Sequence, residues 1–317
     1  MWSYYIPLVF GVATCVGDLG EVMTFSWVSG RSTKLPVYGP KGVHKVVNGF
    51  RDAYALDATY RVAHHAPLLD PNVHGFTTIL IPSPKGSGTT VVYEDGSEEC
   101  PFKIQAFEVN HFPVKPAYGF RVTLNDQVVA ISGDTCKCDS LIENCKGAHI
   151  VVQEALCCEF MLRISDLFKE GGNDRNAKLV SDVVDYHTSI QECIDIADIC
   201  ETPVMALTHL VPAPDTWVAT QYFFQHAVKP PGLKGNVLVG EDGLILRINS
   251  SANNRVDILS PGRHSSLNTT WILSFVLFVI SIVYYYMFGT DSISICILPL
   301  SLISMYRTRL HAVVTLV

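Results

Sequence analysis

The sequence predicts a layered α/β domain followed by a C-terminal transmembrane helix, and three observations lead there. Short apolar, β-rich runs recur along most of the chain. Stretches of helical periodicity stand between them. Near the end, Trp271 to Phe288 runs for 18 residues without a charge. Strands alternating with helices stack in layers, because every sheet face and helix stripe must bury its apolar side against another element.

The β-rich runs are Thr77–Ile81, Thr90–Tyr93, Lys103–Val109, Gly119–Leu124, Gln127–Ser132, His149–Gln153, Val204–Thr208 and Gly235–Val239. Within Ser189–Cys200, Ile190, Cys193, Ile194 and Ala197 fall on one face at spacings of three and four, which predicts a helix. A second helix is expected over Asp215–Val228. As a helix, Trp271–Phe288 spans about 27 Å, close to a hydrocarbon core of ~30 Å. Trp271 and the Tyr284–Tyr286 run suit the two membrane interfaces. A further apolar run, Ile293–Ile303, is interrupted by Pro299 and is open between a partial span and an interfacial segment. Met1–Gly17 is apolar but has no basic leading region; a poor signal peptide, an element of the domain and an aberrant start all stay open. The expected organisation is an atypical N-terminus over residues 1–16, a domain over 17–262, a span over 271–288 and a tail over 289–317. It implies single-pass membrane attachment through the C-terminal helix, with the side unassigned.

Composition bounds the function. With 48% apolar and 17% charged residues in 317, the chain can bury a full core, which excludes a disordered or collagen-like protein. A net charge of −7 excludes a globally basic nucleic-acid-binding surface. The ten cysteines are scattered, with no C-x-x-C pair, and read as reduced, small hydrophobes.

Three β-rich runs end in residues able to hold a metal. Ile104–Val109 leads to Asn110-His111, Val128–Ser132 to Gly133-Asp134-Thr135, and Val204–Thr208 to His209. Side chains at strand ends converge on one edge of a sheet, where α/β proteins place their sites. Neutral imidazole and carboxylate are fitting ligands for a borderline cation such as zinc. Each residue alone has an ordinary explanation, as a satisfied histidine or a turn. The ordered set is what carries the reading.

That set resembles the metallo-β-lactamase superfamily, in the branch of tRNase Z and arylsulfatase-like hydrolases. The matching pieces, in order, are Leu35-Pro36-Val37-Tyr38-Gly39-Pro40-Lys41-Gly42 with Val46–Phe50 after it, Asn110-His111 with Ala117-Tyr118-Gly119-Phe120-Arg121, and Ser132-Gly133-Asp134-Thr135 with Leu141 and Gly147-Ala148. Gln153-Glu154-Ala155, His187-Thr188-Ser189 and Leu207-Thr208-His209-Leu210-Val211-Pro212 complete it. The resemblance implies an αββα sandwich and hydrolysis of an ester or phosphodiester by hydroxide held between two zinc ions. It implies His111 as a ligand of the first metal, Asp134 as the bridge and His209 as a ligand of the second. His187 would contact substrate or relay a proton, and Glu154 would orient a ligand from behind. RNA 3′ processing is the sharper version, but the acidic net charge and the absence of an obvious basic arm for gripping tRNA favour a small ester over RNA.

One departure is large. The family's H-x-H-x-D-H motif should stand just before Gly17-Asp18-Leu19-Gly20-Glu21, where this chain has Phe10-Gly11-Val12-Ala13-Thr14-Cys15. The sandwich is therefore expected to be incomplete at its N-terminus, and the remaining two histidines and one aspartate to hold one metal or none. A truncated or mis-spliced enzyme is the favoured explanation; a variant without catalysis and a single-metal protein stay open. The alternative function is a catalytically inactive, membrane-tethered binding protein. Three further features receive ordinary readings: His64-His65 as a loop pair at the site rim, Cys136-Lys137-Cys138 as a loop, and Lys85–Thr90 as a hairpin turn.

Overall fold

A computed structural model describes residues 8–9, 18–95, 101–214, 216–224, 233–241, 243–249, 252, 254–259 and 313–316. Among them, β4 (Thr89–Asp95), β5 (Phe102–His111), β6 (Val114–Leu124), β7 (Gln127–Ile131), β8 (Ile150–Leu156), β9 (Val204–Val211) and β10 (Asn236–Val239) form one sheet in the order β10-β9-β8-β7-β6-β5-β4. Each β-rich run expected from the sequence overlaps a strand, the first of them β3 (Phe76–Leu80). That strand belongs to a second sheet with β1 (Leu8–Val9) and β2 (Leu35–Gly39), in the order β1-β2-β3. A third sheet joins β11 (Ile245–Asn249) to β12 (Arg255–Leu259) and β13 (Val313–Leu316).

Side-chain alternation sets the layers. Successive residues of a strand face opposite sides of the sheet, and both faces of the seven-stranded sheet are apolar. On one face, Phe107 and Val109 of β5, Val128 and Ala130 of β7, Val151 and Ala155 of β8, and Met205 and Leu207 of β9 form a single buried cluster. Helices α4 (Asp139–Cys145) and α7 (Ile190–Ile199) pack into it through Leu141, Cys145, Cys193 and Ala197. On the other face, Val129, Ile150, Val152, Val204 and Ala206 meet Leu246 and Ile248 of β11. Beside them Ile104, Ala106, Tyr118 and Phe120 meet Ile81 and Tyr38 at the three-stranded β1–β3 layer. The far side of that layer is covered by α1 (Leu19–Val28) and α2 (Val43–Ala53), whose Leu19, Met23 and Val47 bury against Leu35 and Val37. The sequence of layers is helix, strand, strand, helix. The remaining helices are α3 (Ala55–His65), α5 (Cys158–Glu170), α6 (Asp174–Asp182) and α8 (Trp217–Phe223), the last within the helix expected over 215–228.

The expectation of a C-terminal transmembrane helix, and with it single-pass membrane localisation, is corrected. Among the described residues no helix is long and apolar enough to cross a membrane. The longest described helix, α5, has 13 residues, whereas a span needs about 20. Residues 271–288, the run 293–303 and most of residues 1–17 lie outside the described residues. Two local readings also change. His64 and His65 close helix α3 instead of lying in a loop. Lys85–Thr90 does not join a hairpin: β3 pairs with β2 and β4 with β5, so this turn, closed by the Gly88 amide donating to the Lys85 carbonyl at 3.1 Å, passes the chain between sheets.

Candidate metal centre

Strand direction brings the chemistry to one edge. β6 runs antiparallel to both β5 and β7, and β7, β8 and β9 are parallel. The C-terminal ends of β5, β7, β8 and β9 therefore face the same way. His111 is the last residue of β5, Asp134 lies in the loop leaving β7, and Glu154 and His209 lie near the ends of β8 and β9. His187 follows a 3-10 turn, Val183–Tyr186, and precedes α7. That helix starts at a capping box: the Ser189 hydroxyl accepts from the Glu192 amide while the Glu192 carboxylate accepts from the Ser189 amide.

Two backbone features aim the side chains. Gly133 has φ 63°, and a Cβ there would stand 2.6 Å from the Tyr118 carbonyl oxygen, so only glycine fits the turn that presents Asp134. His209 has φ 43° and sits where the pairing of β8 with β9 shifts register, between Thr208 opposite Glu154 and Leu210 opposite Ala155. One extra residue in a strand is a bulge, which turns its side chain away from the ordinary alternation.

Behind the cluster lies a buried network. One carboxylate oxygen of Glu154, Oε1, accepts from the amides of Thr135 (3.1 Å) and Thr188 (2.9 Å) and stands 3.1 Å from His187 Nδ1. The other, Oε2, is buried with no hydrogen-bond partner among the described residues. The Thr188 hydroxyl donates to the Thr135 carbonyl and accepts from the Gln153 amide at 3.3 Å. This network ties the Asp134 loop to the His187 loop. Burial alone would lower the pKa of His187, but the hydrogen bond to Glu154 and the charges of Glu154 and Asp134 outweigh it and raise the imidazole above its ordinary value.

The imidazoles lie side by side. The His187 ring is 5.3 Å from that of His111 and 5.6 Å, stacked, from that of His209. His111 Nδ1 is 2.9 Å from the Tyr186 carbonyl; a carbonyl only accepts, so Nδ1 carries the proton and Nε2 keeps the lone pair. His209 Nδ1 is 3.7 Å from Asp134 Oδ1. Glu154, His187 and His209 offer ligand atoms within 4.8 Å of one another, the one such group of three found among the described residues. Of the residues expected from the sequence, His187 and His209 belong to that group together with Glu154; Asp134 neighbours His209 and His111 neighbours His187, but neither joins the group. Imidazole nitrogens and carboxylate oxygens, with one buried carboxylate oxygen unpartnered, fit a borderline divalent cation.

Cys136 stays outside the donor set. Its thiol donates to the Asp185 carbonyl at 3.0 Å, and burial followed by the Glu154 charge pushes its pKa up, against thiolate formation. His187-Thr188-Ser189 is read from the sequence as part of the matching set; the Tyr186 carbonyl that holds His111 is not.

No family model matches the chain. The ribonuclease Z of Mycobacterium tuberculosis (strain ATCC 25618 / H37Rv) is 30% identical to it over 229 residues, 70% of this chain and 73% of that protein. The ribonuclease Z of Mycobacterium bovis (strain BCG / Pasteur 1173P2) is 29% identical over 233 residues, 72% of this chain and 73% of that one. Among solved structures, the metallo-β-lactamase fold protein YhfI of Bacillus subtilis aligns with a TM-score of 0.40 at 17% identity, over 71% of this chain and 70% of that one. Human tRNase Z, short form, aligns with a TM-score of 0.39 at 18% identity, over 61% and 66%.

Proposed function

The chain belongs to the ribonuclease Z family of the metallo-β-lactamase superfamily, and from that membership we propose that it hydrolyses RNA phosphodiester bonds with a bound divalent cation, zinc in the first instance. The observation that supports this most is the gathering of three imidazoles and two carboxylates, from four strand ends and one helix entrance, at a single sheet edge. In this reading His111, Asp134 and His209 hold the cation, and Asp134 and His187 are the catalytic residues. When bound, the cation supplies a hydroxide at neutral pH and polarises the scissile phosphorus centre. The chain's own part is to fix that arrangement. Glu154 lies against His187, the Thr188 network holds the Asp134 loop, and His209 is half-exposed at the same edge. The net charge of −7 is a sum over the whole chain and does not describe the local surface at this edge.

A second reading, an inactive RNA-binding protein, is favoured by one observation: H-x-H-x-D-H does not occur in the sequence. One experiment separates the two. The zinc-equilibrated full chain is incubated with a structured RNA bearing a 3′ extension, beside Asp134→Ala. Cleavage by the parent and none by the variant supports hydrolysis. Binding without cleavage by either supports the second reading.

A further inference from the structure

We propose that the tip of the β5–β6 hairpin is a nucleotide subsite beside the candidate metal centre. There Phe112 stacks on a base next to the scissile phosphodiester, and Lys115 meets a phosphate of the same strand. The inference rests on the reading that an RNA phosphodiester reacts at this sheet edge, and it names the part of the chain that positions the strand.

Three observations carry it. First, Phe112 is the chain neighbour of a residue of the site. Strands β5 and β6 are joined by Phe112 and Pro113, and the pairing of His111 with Val114 closes the turn. His111 is 6% exposed, whereas Phe112 is 76% exposed, the most exposed aromatic side chain among the described residues. Consecutive Cα atoms lie about 3.8 Å apart, so a strand with one phosphate at His111 brings a neighbouring base within reach of the Phe112 ring. Second, the fold makes no use of that ring. Tyr186 stands edge-on to His111 at 5.3 Å and against His187 at 4.9 Å, as part of the wall of the site. Phe112 meets no other ring among the described residues. Third, a cation stands close by. The pairing of β5 with β6 shifts between Val109 and His111, so that Lys115 and Pro116 together oppose Asn110, a bulge at the hairpin end. Lys115 is exposed and makes no ion pair among the described residues. A single exposed phenylalanine is ordinary on a protein surface; its place between His111 and Lys115 is what points to a ligand. An aromatic face with a basic side chain beside it holds single strands without reading their sequence, because every base has a flat face and every nucleotide a phosphate. The turn is short and Pro113 fixes its own φ, so binding has little order left to impose.

The test measures binding apart from cleavage. A fluorescein-labelled RNA hexamer of adenosines is titrated into the zinc-equilibrated full chain, the same samples are run on a gel for cleavage, and bound metal is measured in each. Phe112→Ala should weaken binding about 10-fold, and Phe112→Trp should restore it, as one base stack is lost and regained. An abasic hexamer, which keeps the phosphates and lacks the base faces, should bind the parent at least as weakly as the adenosine hexamer binds Phe112→Ala. Lys115→Gln should flatten the dependence of log affinity on log salt by about 0.7, one phosphate contact; an unchanged slope overturns the Lys115 contact. Parent affinity in Phe112→Ala overturns the inference, and so does a loss of affinity accompanied by loss of metal, which would make Phe112 a support of the site. A parent that cleaves bis(p-nitrophenyl) phosphate and does not bind the hexamer overturns the subsite and leaves metal-dependent hydrolysis standing. A parent that binds through Phe112 and cleaves neither ester overturns hydrolysis and leaves the subsite standing.

Discussion

His187 and His74 are imidazoles in two different layers, one at the edge of the seven-stranded sheet and one beneath helix α1, and their surroundings push them in opposite directions. His187 meets Glu154 and Asp134 and is raised above its ordinary pKa. His74 lies 4.8 Å from the ring of Trp27, and burial followed by the charge of Arg31 lowers its pKa, with Asp57 opposing. The Arg31 guanidinium is itself buried and donates to the carbonyls of Met23, Thr33 and Val73. A neighbouring cation makes His74 a poor place for a proton; neighbouring carboxylates make His187 a good one. Burial opposes the proton at both imidazoles, and what differs is the sign of the nearest charge, Arg31 beside His74 and Glu154 beside His187.

The two layers can be separated by mutation. The largest effect belongs to the sheet edge: Asp134→Ala should reduce metal-dependent phosphodiester hydrolysis by about 1,000-fold or more. The variant keeps a cooperative unfolding transition, which calorimetry checks. In the other layer, Arg31→Ala should cost about 3 kcal/mol of stability, because it strips buried carbonyls of their donor. Metal content of its folded fraction should match the parent; a loss would show that the layers are not independent. Gly133→Ala is intermediate, costing about 2 kcal/mol for a left-handed backbone with no room for a Cβ, and it should also weaken metal binding by moving Asp134. The smallest effect is a pH dependence. Because folding lowers the pKa of His74, its contribution to stability is complete above the ordinary imidazole value and is lost as pH falls through the depressed one. Urea midpoints should fall further between pH 8 and pH 5.5 in the parent than in His74→Phe; equal slopes would remove His74 from the account.

Much of this arrangement was legible in the sequence. Strands buried on both faces read as continuous apolar runs, and β8, buried along its whole length, is a clear case. Helix α7 shows both its period and its capping box. Helix α1 was not legible, because it has no polar stripe: Leu19, Met23 and Trp27 are buried, while Val22, Phe25 and Val28 are exposed. His111, Asp134 and His209 stood out as strand-end residues in the right order. His187 entered through the resemblance and not through a strand end, and its place beside them depends on parallel strands that bring the amides of Thr135 and Thr188, 53 residues apart, to one oxygen of Glu154. The transmembrane expectation came from the hydropathy, length and flanking aromatics of residues 271–288, which lie outside the described residues.

The central claim is that a metal bound by the strand-end residues makes this chain a hydrolase. Its most direct test is hydrolysis of bis(p-nitrophenyl) phosphate by the zinc-equilibrated full chain, beside His209→Ala and a chelator-treated sample, with bound metal measured in each. The account predicts hydrolysis by the parent alone, with less metal in both controls. Parent-level hydrolysis by His209→Ala, or a metal-loaded parent without hydrolysis of this ester or of RNA, would contradict it.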